Sequence, residues 1–137
     1  MDERGEIAAL YKGIPQNDIG IKVDVMDNVS KEIGMKMLVR SMSPQVIIAD
    51  EIGSEFDIQA INYVMCSGCK GIFSAHGECL DDLYLNKFIK QLMIQNIFEI
   101  IIFLDSKEKG AIKNVYIFDI KDMKYKMDKD FFQKEVV

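Results

Sequence analysis

An α/β fold is predicted by three observations on this 137-residue chain. The apolar run "VIIA", the amphipathic stretch "SEFDIQAINYVMCSG" and the run "KGIFSAH" follow one another as a β-α-β unit over residues 46–76. A third apolar run, "EIIIFLD", has the length and β-branched content of another strand. Beyond the turn "SKEKG", the alternation in "AIKNVYIFDI" predicts an antiparallel hairpin or edge strand. The expected architecture is a parallel sheet flanked by helices, with a C-terminal antiparallel hairpin. No repeat, low-complexity segment or linker divides residues 1–137, so a single domain is expected.

The elements follow in order. "MDERGEIAAL" opens on charge, and a polar loop, "KGIPQNDIG", precedes "IKVDVMDN", whose alternation predicts a short strand. "SKEIGMKMLVRSMS" places Ile33, Met37, Leu38 and Met42 at helical spacing, with Ser30 as the expected N-cap. Pro44 breaks that helix, and "VIIA" reads as a strand buried on both faces. In the next helix Ser54 and Asp57 form a capping-box pattern, Ile58, Ile61 and Met65 share a face, and Gly68 ends it. "ECLDDLYLNKFIKQLMIQNIF" is helical, in one or two pieces.

Composition narrows the function classes. With 49% hydrophobic and 28% charged residues and a mean hydropathy of +0.03, the chain resembles an ordinary soluble domain. No apolar run approaches the ~20 residues a membrane span needs, and no secretory leader pattern opens it. A net charge of -5 argues against binding nucleic acid over a large surface. Three cysteines without a leader suit a reducing cytoplasm. The 17 basic residues include only two arginines, Arg4 and Arg40. Arginine suits places where a planar, permanently charged fork meets carboxylate or phosphate, although a surface ion pair is the commoner use.

Ligands of parallel sheets bind beyond the carboxyl ends of the strands. Asp50 and Glu51 leave one strand there, and Ser74, Ala75 and His76 leave the next. An Asp at such a place can hold Mg²⁺ through water, and an adjacent Glu can orient or deprotonate an attacking water. A nearby His can donate a hydrogen bond to phosphate. Taken singly, these residues have plainer readings: a strand end meeting solvent, and a capping or core histidine. Their joint placement sets the metal–nucleotide site level with those readings.

Cys66, Cys69, His76 and Cys79 have the spacing C-x₂-C-x₆-H-x₂-C, which resembles a zinc site. A strand over 70–75 would put Cys69 and His76 roughly 20 Å apart. Zinc needs its ligands at ~2.0–2.3 Å from one ion. Structural cysteines are the favoured alternative, with zinc or redox work the lesser one.

Three blocks, "DERGEIAALYKGIPQNDIGIKVDVMDN", "MLVRSMSPQVIIADEIG" and "SAHG", strongly resemble the stage III sporulation protein AA family over roughly residues 2–105. These are P-loop ATPases similar to the hexameric ATPases of type II and type IV secretion systems. The resemblance implies a partial RecA-like core and a Walker B pair, with Asp50 near Mg²⁺ and Glu51 activating water. It matches His76 to a histidine box close to the terminal phosphate. It also matches Glu3 and Arg4 to an acidic box, and it places Arg40 in a family block. Either arginine is then expected near nucleotide, in its own site or across a subunit interface. Mg²⁺ and ATP, a homohexamer, channel partners from the other stage III sporulation proteins, and mother-cell cytoplasm with membrane association only through partners are implied likewise.

The match is incomplete. A phosphate loop needs G-x-x-x-x-G-K-[ST], and this chain has no Gly-Lys pair. The expectation is a C-terminal portion of the ATPase, from the Walker B region onward. Alone it is expected to bind ATP only weakly and not to hydrolyse it. The alternative is a catalytically silent interaction module of the same assembly.

Overall fold

A computed structural model describes residues 1–131. It contains α1 (Lys31–Met42), β1 (Val46–Ala49), α2 (Glu55–Cys66), β2 (Lys70–Phe73), α3 (Leu80–Leu85), α4 (Lys87–Ile94), β3 (Ile100–Leu104), β4 (Ile112–Asp119) and β5 (Lys124–Met127). The fold is mixed α/β, with a two-stranded parallel sheet and a three-stranded antiparallel sheet. The chain divides into two compact units, Met1–His76 and Gly77–Val137.

In the first unit β1 and β2 pair in parallel, with Val46 opposite Lys70 and Ala49 opposite Phe73. The crossover is α2. Its capping box is present: Asp57 N donates to Ser54 Oγ, while Asp57 Oδ2 accepts from Ser54 N at 2.8 Å and Gly53 N at 3.0 Å. Gly68, at φ +81°, turns the chain from the helix into β2, in a left-handed conformation that costs any side chain with a Cβ. The core holds Met35, Leu38, Ile47, Ile58, Ile61 and Val64, all buried.

Three expectations need correction here. The stretch 21–28 forms no strand. Its only ladder contact among the described residues is a single bridge, Asp27 to Asp2, and alternation without a neighbouring strand leaves backbone groups unpaired. β1 is buried on one face, not two: Ile47 and Ala49 are each 2% exposed, Val46 46% and Ile48 41%. Val46 and Ile48 instead line a hollow of about 650 Å³ between the strand and the N-terminal loop.

α1 also turns a different face inward. Ile33, Met37 and Met42 are exposed, while Lys31, Gly34, Met35 and Leu38 are buried. Those four follow an i, i+3, i+4, i+7 stripe. Gly34 is part of the reason, because a Cβ there would collide with the Met1 thioether. Ser30 occupies the N-cap position but makes no side-chain cap bond.

The N-terminal loop is held by one carboxylate. Asp2, 1% exposed, accepts from the backbone N–H groups of Glu6 at 2.7 Å, Ile7 at 3.1 Å and Ala8 at 2.8 Å. Burial alone would raise its pKa, but these amides, with that of Ala9, hold it below the usual carboxylate range.

In the second unit the predicted helix does break in two, at Asn86, whose side chain caps α4 by accepting from Phe88 N and Ile89 N. β3, β4 and β5 form an antiparallel meander. β5 follows a turn at 120–123 and is a strand the sequence pattern did not single out. Leu83, Ile89, Met93, Phe103 and Tyr125 form its core. Edge-on ring pairs, Phe103 with Tyr116 at 5.7 Å and Phe118 with Tyr125 at 5.2 Å, add to area burial.

Candidate functional site

The site lies in the first unit, where β1 and β2 run out. Asp50 and Glu51 are adjacent, yet their side chains part. Asp50 is buried, and neither of its carboxylate oxygens has a hydrogen-bond partner. Its charged neighbour is the Met1 ammonium, which donates to Ile48 O at 2.8 Å. Burial lowers the pKa of that ammonium, while the Asp2 and Asp50 carboxylates oppose the shift.

Glu51 points outward. One carboxylate oxygen is ion-paired with the Arg4 guanidinium, and the other lies 3.2 Å from His76 Nε2. The His76 side chain is otherwise open to solvent. Glu51 takes up a left-handed backbone, φ +43°, and its N–H donates to Ser74 Oγ at 3.0 Å.

The sequence-predicted residues therefore divide. Arg4, Glu51 and His76 meet, with Asp50 next to them in the chain. Glu3 belongs to an adjoining shallow cleft of about 420 Å³, which Glu51, Ser54 and Phe56 also line. There its carboxylate accepts from Lys31 Nζ at 2.9 Å. Lys31 is a buried cation that the helical spacing of apolar residues did not flag; the stripe it shares with Gly34, Met35 and Leu38 is the signal that finds it. Arg40 is placed differently. Its Nε donates to Tyr63 OH at 3.2 Å and its guanidinium lies 5.9 Å from the Tyr63 ring centroid, joining α1 to α2.

The donor chemistry of Asp50 fits a hard divalent cation. Mg²⁺ takes oxygen ligands, commonly one or two carboxylates with water and phosphate completing the shell. A buried carboxylate without donors is costly unless a cation balances it. Among the described residues no group of three or more His, Cys, Asp or Glu is placed to hold a metal, so water and phosphate would have to supply the remaining ligands. Cys69 is buried with Sγ 3.0 Å from Pro44 O, whereas Cys66 and Cys79 are exposed.

The fold and site together define a mixed α/β protein with an acidic pair at the ends of parallel strands. The model of the family described as "Sporulation stage III, protein AA" matches residues 1–123, and the chain belongs to that family. It is 38% identical over 117 residues to Stage III sporulation protein AA of Bacillus subtilis (strain 168), a match covering 85% of this chain and 38% of that protein. The chain thus spans well under half the length of this curated relative. No solved structure matches it. No helix among the described residues is long and apolar enough to cross a membrane.

Proposed function

We propose that this chain is the Walker B-bearing portion of a sporulation ATPase whose longer form hydrolyses Mg²⁺-ATP. The observation that carries the proposal is the buried, donor-free carboxylate of Asp50 beside a partly exposed Glu51 that meets Arg4 and His76. Bound Mg²⁺ would neutralise charge on the phosphates. Asp50 would hold the ion, directly or through water. Glu51 would orient and deprotonate the attacking water, and His76 would donate to the terminal phosphate. Arg4, freed from Glu51 in the nucleotide-bound state, would reach phosphate in its own or a neighbouring subunit. Arg40 is engaged with Tyr63, so a place for it at a subunit interface rests on the family resemblance alone.

On this reading the chain contributes to a RecA-like core completed by a phosphate loop elsewhere in the longer protein. The longer protein works as a hexamer in the mother-cell cytoplasm, where it energises or assembles a channel with other stage III sporulation proteins. The chain alone does not turn over ATP, because most of the groups that stabilise phosphate charge are absent from it. Acting by itself, it would serve as an interaction module of the same assembly.

The test is Mg²⁺-dependent ATP hydrolysis by the 137-residue chain and by a form extended to include a phosphate loop. Activity confined to the extended form and abolished by Glu51→Gln is expected. Turnover by the chain alone, or an extended enzyme indifferent to Glu51→Gln, would overturn the proposal.

A further inference from the structure

One residue on the β2 side makes three hydrogen bonds to the four-residue segment that carries the acidic pair. Ser74 N donates to Ala49 O at 3.2 Å, Ile52 N donates to Ser74 O at 2.8 Å, and Glu51 N donates to Ser74 Oγ at 3.0 Å. The first continues the parallel pairing of β1 with β2 past its last register pair, and the second is one residue out of that register, since regular pairing would bring the Glu51 N–H to Ser74 O. The third does not belong to a ladder. It falls where Glu51 takes a left-handed backbone, φ +43°, and the ladder slips by one residue. A residue with a Cβ rarely adopts that conformation without support from its surroundings. The support here is a hydroxyl.

We propose that Ser74 is a positioning residue for Glu51. Its hydroxyl accepts the Glu51 N–H and so holds the left-handed turn that aims Glu51 at Arg4 and His76. With the turn in place, Asp50 is buried and Glu51 faces Arg4 and His76. An extended Glu51 would lie on the opposite side of the strand from Asp50 but out of register with His76, two residues beyond Ser74. Alanine at 74 leaves both backbone bonds and removes only the one that stabilises the turn. Threonine keeps an oxygen in the same place. The inference rests on Glu51 being the residue that activates water, as proposed above.

Two measurements test it separately from that reading. In the 137-residue chain, without nucleotide, Ser74→Ala should speed hydrogen exchange at the Glu51 amide by about tenfold or more. Amides in the α1–α2 core should keep their rates, and Ser74→Thr should restore protection at Glu51. An unchanged Glu51 rate in Ser74→Ala overturns the proposal. In the extended enzyme, Ser74→Ala should lower kcat by about tenfold to a hundredfold while KM for Mg²⁺-ATP stays within about twofold. Ser74→Thr should recover most of the loss. A raised KM at unchanged kcat would make Ser74 a binding residue and overturn the proposal. If Glu51→Gln leaves the extended enzyme active, it is the role of Glu51 that fails, and amide exchange alone decides the role of Ser74.

Discussion

His76 Nε2 lies 3.2 Å from Glu51 Oε1, across 25 residues of sequence, because β1 and β2 run parallel and end side by side. Arg4 reaches the other oxygen of the same carboxylate from the N-terminal loop. Three stretches of chain thus converge on one partly exposed acid. Arg4 and His76 are largely solvated, with side chains 54% and 91% exposed, and Glu51 is partly so at 31%. Such contacts add little to folding, typically about 0–1 kcal/mol. Arg4→Gln and His76→Gln should each lower unfolding free energy by less than about 1 kcal/mol in urea titrations. Losses well beyond that would make the cluster a structural tie.

Asp2 differs, because it is buried and accepts three backbone N–H groups. Asp2→Ala strands those donors and should cost about 2–3 kcal/mol in urea unfolding at neutral pH. The pH dependence has a definite sign. The folded pKa lies below the ordinary value of 3.8, so the contribution is complete above that value and is lost as pH falls through the folded one. The gap between wild type and Asp2→Ala should therefore narrow in acid, and a gap independent of pH would contradict the assignment.

Tyr125 governs the alkaline side. Its hydroxyl donates to Phe98 O at 2.8 Å, and burial, with the charge of Tyr84, raises its pKa from 10.0 to about 12. A raised folded pKa means stability that is present below the unfolded value and is lost as pH climbs from about 10 toward 12. Absorbance titration should show one phenolate appearing near pH 12, and Tyr125→Phe should remove both that step and the associated loss of stability. The Phe variant should also lose about 1 kcal/mol at neutral pH with the hydrogen bond.

The cysteines offer a direct check on the competing metal reading. All three are free, two exposed and one buried. A chromogenic disulfide reagent should titrate Cys66 and Cys79 quickly and Cys69 only on unfolding, since its thiol is enclosed and donates to Pro44 O. Stoichiometric zinc with slow modification of all three thiols would instead revive the Cys66, Cys69, His76 and Cys79 site.

Ile61 tests the packing of α2. It is fully buried among the helices of the first unit, and Ile61→Ala should cost about 2–5 kcal/mol. Ser54→Ala, which removes the capping box, should cost about 1 kcal/mol. Equal losses at the two positions would mean that the helix is held by its end more than by its face.

Local rules made much of this protein legible in its sequence. The β1–α2–β2 unit, the Ser54–Asp57 capping box and the arrival of Asp50, Glu51 and His76 at one sheet end follow from periodicity, capping chemistry and the handedness of crossovers, which act over a few residues. The family followed from long matching blocks. Tertiary structure decided what depends on partners distant in the chain. Residues 21–28 alternate like a strand but have no adjacent strand to pair with among the described residues. Lys31 rather than Ile33 faces inward, because Glu3 and Met1 fold back over α1. The two carboxylates of "DE" are chemically similar and adjacent in sequence. Only the folded chain, with Ser74 beside a left-handed Glu51, makes one a buried acid without donors and the other a partly exposed acid between a guanidinium and an imidazole. Backbone conformation at a strand end is set by the neighbouring strand, and residue identity alone does not specify it.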